Sequence, residues 1–461
     1  NTTGTRNVAV GYTALDANTT VSDNTGVGYN ALTANTTGSN NTAVGSQALE
    51  ANTTALNNTA IGYKSLEVNT TGATNTGLGS YALALNTTAS YNSAVGYNAL
   101  GANTTGAQNT AVGYGALDAN TTAANNVAVG FEALSANTTG ASNVAVGSAA
   151  LDANTTGTYN VGVGYEALSA STTTSQNTGV GYRALKDNTG SYNSAFGMSA
   201  LQSNTTGSNN TAVGRDALVS NTTGANNTAV GYLSLYTNST GASNTAFGAE
   251  ALEKNTTDSN TAFGYQAAEE TTTGDFNVAV GASAFEDNTT GAQNTAIGGY
   301  ALRNNTTANN NVAVGYLALD VNTTGAQNVA VGAYALDAAS TASNNIAVGY
   351  RALSQNTTGN ENVSIGTDSM LDNTTGAGNV AVGMESLANL TTASSNVGVG
   401  KQALNTTTTG ASNTAVGFQA LRLNATTHYN VAVGTGTLYN NVASNNTAVG
   451  FEALNDNTTG A

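Results

Sequence analysis

Few residues in this chain have chemistry to offer. His428 is the only histidine and cysteine is absent, so no catalytic triad, histidine metal cluster or thiolate site can be assembled. His428 falls in the polar stretch "NATTHYN", where a solvated loop residue is the expected reading. The carboxylates are better placed. Glu253, Glu269 and Glu286, and again Asp320 and Asp337, recur at near-regular spacing and would lie side by side in a repeat fold. A carboxylate pair is the machinery of glycoside hydrolysis. Like charges on a solvated face are the commoner outcome, and no long insertion is present to wall a cleft. The "GVG" pairs at Gly26, Gly162 and Gly179 lack the third glycine of a dinucleotide loop. Asn18, Asn35, Asn52, Asn103 and Asn322 each open an "NTT" that satisfies the Asn-x-Ser/Thr acceptor pattern, which makes them candidate glycosylation sites. These residues together point away from an enzyme, and they call for no cofactor and no metal.

What must position them is a repeat. A glycine recurs at Gly11, Gly28, Gly45 and Gly62, seventeen residues apart, and the marker continues to Gly450. Three intervals are one residue short: Gly181 to Gly197, Gly248 to Gly264 and Gly434 to Gly450. The twenty-seven copies fill residues 1–461 as one continuous array. Self-similarity on this scale decides the fold class, because one copy cannot bury its apolar face alone and stacking hides it against its neighbours. The chain opens on "NTTGT" and closes on "NTTGA", both inside a repeat, and the expectation is a window of a longer fibre.

Composition narrows the partners. Gly numbers 54 of 461, Pro and Trp are absent, charged residues make up 8% and the net charge is −16. Such acidity disfavours nucleic acid and anionic membranes, which need Lys or Arg to neutralise phosphate. No apolar run approaches the roughly 20 residues that span a bilayer.

Numbering the repeat from its asparagine makes Asn7 position one and Gly11 position five. Both types are invariant along the chain. Asn7, Gly11, Asn109, Gly113, Asn126 and Gly130 are therefore read as corner residues, the asparagine laddering to its equivalents and the glycine meeting positive φ or close backbone approach. Position two is β-branched or Ser, position three only Ala, Gly or Ser, and position four always apolar. That is one short strand, with positions two and four expected inward. Position nine is Leu in most copies. The expected core is thus Val10, Leu15, Val27, Leu32, Val44 and Leu49. Stacked helical turns need about 8 to 10 Å between axes, against ~4.8 Å for strands. The second side is therefore expected to be extended with a bend near positions eight and nine, a curved strand-plus-turn solenoid being the alternative. The missing residues all fall between positions twelve and seventeen, which marks "NTTGAQ" as the outward turn. About half the copies carry an aromatic at position six, including Tyr97, Tyr114 and Phe131 in succession. These form either a partly covered stacking ladder or an exposed platform for sugars or another fibre.

The phrase "NVAVG" at Asn7, Asn126, Asn143, Asn277 and Asn328 resembles the head repeat of trimeric autotransporter adhesins of the YadA type, and the longer phrase resembles repeats of bacterial surface and phage tail-fibre-like proteins. The resemblance implies a left-handed parallel β-roll, often a homotrimer, on a cell or virion surface. The adhesin heads use a shorter repeat. Taken together the expectation is an all-β parallel solenoid serving as a structural or adhesive extracellular fibre, self-associating as a trimer or bundle and contacting carbohydrate or a cell surface. Small residues at positions three and eight would let two such surfaces meet. The alternatives are an ice-binding solenoid, resting on the Thr19 and Thr20 pair, and a carbohydrate-active β-helix.

Overall fold

The computed structural model describes residues 2–458. Asn1, in the opening phrase, and residues 459–461, in the closing one, lie outside the described residues. The chain divides into two compact units, Asn1–Asn227 and Thr228–Ala461. The first holds thirteen parallel strands, β1 (Val8–Val10) to β13 (Thr211–Val213), and the second holds fourteen, β14 (Thr228–Val230) to β27 (Thr447–Val449). Each strand is three residues long, and no helix occurs among the described residues, so none is long and apolar enough to cross a membrane. Both units are parallel β-solenoids with one coil per repeat.

Register follows the repeat as expected. Val10 pairs with Val27 and Val27 with Val44. The shortened copies keep it, with Thr178 opposite Ser194 in the first unit and Thr245 opposite Thr261 in the second.

The face that points inward is the opposite of the one expected. Position three is buried in every strand after the first, while positions two and four are half-buried or exposed. Val10, Val27 and Val44 are therefore outer-face residues, and Val10 is 57% exposed. Leu15, Leu32 and Leu49 are core, as read. The reason is the thinness of the coil. A Cβ built on Gly26 would come within 3.2 Å of the Leu15 side chain and of the Ala31 carbonyl, so position three faces the leucine of position nine with no room for a β-branched side chain. Positions three and eight are small because they meet each other and the leucines inside the coil, not because two chains approach there.

The second side is the turn alternative, not a second strand. Positions six to eleven form consecutive turns, with left-handed backbone at position seven (Asn30, φ 58°) and at position nine (Leu32, φ 53°). Neither a helical turn nor a strand is required to match the strand spacing, because these turns bond from coil to coil themselves. Leu32 N–H donates to the Ala48 carbonyl at 3.1 Å and Ala34 N–H to the Glu50 carbonyl at 3.1 Å. A leucine in this backbone region costs roughly 1–2 kcal/mol, which burial of its side chain, worth roughly 1.5–3 kcal/mol, offsets.

Candidate functional site

The two ends of each strand are fixed as the corner reading requires. Asn109 Oδ1 accepts the Asn126 backbone N–H at 2.9 Å, and Asn109 Nδ2 donates across the coil to the Ala123 carbonyl at 2.9 Å. Asn126 repeats the pattern with Asn143 and Gly140, and Asn7 with Asn24 and Val21. Gly113 has φ 140°, and a Cβ there would lie 2.2 Å from the Gly130 carbonyl oxygen. Gly11 and Gly130, at φ 133° and 142°, meet the next coil in the same way. Both reasons for the glycine hold at once.

The candidate glycosylation asparagines are not at the surface. Asn18, Asn35, Asn52, Asn103 and Asn322 are all at most 1% exposed. Asn52 Nδ2 donates to Asn35 Oδ1 at 2.9 Å, Asn103 Nδ2 to Asn86 Oδ1 at 2.9 Å, and Asn322 Nδ2 to Asn305 Oδ1 at 3.0 Å. Each of these, and Asn18, also donates to a carbonyl three residues on in its own coil. The amide nitrogen that would carry a sugar is thus already a buried donor, and the expectation of Asn-linked glycans on the folded coil is overturned. The turn reaches the surface through its threonines, as at Thr37 and Thr54, and through the residues before the next asparagine, as at Leu56 and Tyr91.

His428 is half-buried, not solvated. Its Nδ1 accepts the Ala411 N–H at 3.0 Å, which requires the proton on Nε2. Ser90 and Ser394 do the same for Ala73 and Ala377, so the imidazole fills a structural acceptor position.

The carboxylates behave in two ways. In the second unit Glu250, Glu253 and Glu269 bring carboxylate oxygens within 4.8 Å of one another. Burial first, and then the charges of Glu253, Glu250, Glu270 and Glu286, push the Glu269 carboxyl up to about 7. Asp320 instead takes a hydrogen bond from Arg303 at 3.2 Å, and Asp337 accepts one from Ser354 at 2.5 Å.

The outward aromatics do form a ladder. Tyr97 and Tyr114 stack with ring centres 5.4 Å apart and planes 13° from parallel, and Tyr114 and Phe131 stack at 5.4 Å and 10°. All three remain about half exposed. Beside them lies an open groove of about 370 Å³ lined by Tyr114, Gly115, Asp118, Glu132 and Ser135. It was not foreseen, although the signal was present. Position seven carries glycine only at Gly115 and Gly436, and only Gly115 follows an aromatic.

These features group onto two surfaces. One is the outward strand face of positions two and four. The other is the aromatic and acidic strip of positions six, seven and ten. No protein-family model matches the chain, and no curated protein matches it either.

Proposed function

We propose that this chain is a structural and adhesive segment of an extracellular fibre, and that it self-associates laterally, as a homotrimer or bundle, through its strand face. The observation that carries this reading is the composition of that face. Position four is Val, Ile, Leu or Phe in all twenty-seven strands, and position two is Val, Ile, Thr or Ser. No charged or amide side chain interrupts it. A solvated strand would tolerate polar residues there, since threonine alone satisfies strand propensity, and edge and face charges are the usual defence against association. Ile61, Leu78, Phe196, Phe247, Phe263 and Ile297 are each about 40% exposed, which is the surface that burial against a second copy would remove from water.

The test is sedimentation of the full chain beside an Ile61→Lys, Leu78→Lys, Val95→Lys variant. Wild type is expected as a trimer or larger. The variant is expected as a monomer with unchanged circular dichroism, because all three side chains already point outward. A wild-type monomer at micromolar concentration would overturn the reading.

The ice-binding alternative rested on a hydroxyl array in the turn. Thr36, Thr53 and Thr70 donate those hydroxyls to the next coil's threonine carbonyl at 3.0 to 3.2 Å, which weakens it. Thermal hysteresis remains its direct measurement.

A further inference from the structure

The position-six to position-ten strip repeats one arrangement several times with its own basic residue. Lys64 lies over the Tyr63 ring at 5.7 Å and pairs with Glu67 of the same coil at 2.9 Å. Arg183 lies over Tyr182 at 5.0 Å and pairs with Glu166 of the preceding coil at 2.9 Å. Arg351 lies over Tyr350 at 5.2 Å and pairs with Asp368 of the following coil at 2.7 Å. In all three the aromatic is at position six and the base at position seven. The base is held by a ring face and a carboxylate together.

At Tyr114 the carboxylates of this arrangement recur with the base deleted, while the ring itself stacks on Phe131 of the following coil. Tyr114 holds position six and Gly115 position seven. Asp118 stands where Glu67 stands relative to Lys64, and Glu132 stands where Asp368 stands relative to Arg351. The groove of about 370 Å³ occupies the place of the missing side chain. Backbone strain does not demand this glycine. Its φ is 60°, against 55° for Arg183 and 56° for Lys64 at the same position, and a Cβ would meet nothing nearer than the Glu132 side chain at 3.6 Å. No lysine or arginine occurs between Lys64 and Arg183, so nothing in this stretch of chain supplies the charge. Burial, with the Glu132 charge adding to it, holds the Asp118 carboxyl above its ordinary range.

We propose that the Tyr114–Gly115–Asp118–Glu132 slot is a binding site for a basic side chain of a partner polypeptide, an arginine guanidinium or lysine ammonium that completes the arrangement from outside. Guanidinium suits it best, since its planar fork of N–H groups can reach both carboxylates beside the edge of the Tyr114 ring, whose faces stack on Tyr97 and Phe131. The net charge of −16 favours the approach of a cationic partner. The site lies on the turn side of the coil, away from the strand face, so it stands whether or not the chain trimerises.

The test is calorimetric titration of the full chain, at low salt, with a capped tripeptide Gly-Arg-Gly, its citrulline counterpart and guanidinium chloride. The arginine peptide is expected to bind, the neutral citrulline peptide at least tenfold more weakly, and added salt to weaken binding. Asp118→Asn with Glu132→Gln should weaken it at least tenfold. Gly115→Arg should abolish it by filling the slot with the chain's own guanidinium, with an unchanged circular dichroism spectrum, because position seven already accepts arginine at Arg183 and Arg351. Undetectable binding of the arginine peptide, equal binding of the citrulline peptide, or undiminished binding by either variant would overturn the proposal. Equal binding of free guanidinium would overturn its assignment to a partner's side chain.

Discussion

Asn52 donates its side-chain amide to the Asn35 carbonyl oxygen at 2.9 Å, and neither residue is exposed at all. Repeated coil after coil, this contact makes an amide ladder inside the solenoid, parallel to the one at the strand corner. The two converge: Asn24 and Asn35 both donate to the Gly38 carbonyl, at 2.9 Å each. The ladder has a direct consequence for Asn103. That residue donates to Asn86 Oδ1 and the Gly106 carbonyl and accepts from Asn120 Nδ2, each at 2.9 Å. Asn103→Ala would orphan buried polar groups on both neighbouring coils and is expected to destabilise its unit by about 2–4 kcal/mol. Thr105→Ala, at an exposed position of the same turn, should change stability by less than about 0.5 kcal/mol. Denaturant unfolding of the two variants checks the contrast. Intact mass should equal that of the bare polypeptide at all five asparagines.

One break in the ladder gives the opposite sign. Asn154 Oδ1 is buried without a hydrogen-bond partner, because the next coil carries Ser171 where an asparagine amide would donate. Ser171 instead donates to the Asn188 carbonyl at 2.8 Å. Ser171→Asn restores a donor to Asn154 and keeps an acceptor for the Asn188 amide, which already donates to Ser171 Oγ at 3.4 Å, and is expected to stabilise the first unit by about 1 kcal/mol. A lower or unchanged unfolding midpoint would mean that the serine bond to Asn188 is worth as much as the ladder it interrupts.

The period, the parallel register and the corner roles of Asn109 and Gly113 were legible in the sequence, because each is a property of spacing or of a residue type with one physical use. The direction of the strand face was not. A three-residue strand reading apolar, small, apolar has a period of two but no sign, and the sign was set by Leu15 filling the space opposite Gly26. The asparagines of "NTT" misled for a related reason. Asn followed by Thr is favoured in turns and in acceptor patterns alike, while the buried amide ladder appears only once coils are stacked. The left-handed leucines at position nine were out of reach, since Leu has no propensity that announces φ near 53°. The Tyr114 groove was hidden because its signal is an omission, one glycine among varied residues at position seven.

The two glycines of that coil separate conformational need from vacancy. At Gly113 any side chain meets the Gly130 carbonyl oxygen at 2.2 Å and adopts φ 140°, a region that is essentially glycine-only. Gly113→Ala is expected to destabilise by roughly 3 kcal/mol or more. At Gly115 the nearest atom to a new Cβ is 3.6 Å away and φ is 60°, so Gly115→Ala should cost only roughly 1–2 kcal/mol. Chemical denaturation of both variants decides it. Similar losses would show that Gly115 is needed by the backbone, and would remove the argument that the slot beside it is open for a ligand.

The last prediction concerns pH and the second unit. Glu269 lies within carboxylate reach of Glu250 and Glu253, and its folded-state value of about 7 stands above the ordinary 4.5. Between those values the folded chain keeps a proton that the unfolded chain has released. Its contribution to stability is therefore greatest below pH 4.5, is lost as pH rises through about 7, and stays lost above it. The full effect is at most about 3 kcal/mol, since each tenfold change in proton affinity corresponds to about 1.4 kcal/mol, and solvent screening at this half-buried side chain reduces it further. Glu269→Gln abolishes the titration while keeping the side chain's shape. Hydrogen exchange of the Gly264 and Gly281 amides, which donate to the Phe247 and Phe263 carbonyls on either side of this residue, should show the wild type opening more readily than the variant at pH 8. At pH 4 the two should exchange alike. Lys254, which pairs with Glu270 nearby, is charged throughout this range and leaves the comparison unchanged. A difference between the proteins that is the same at both pH values would mean that Glu269 is ionised throughout, held open to solvent by the same repulsion that was expected to protonate it.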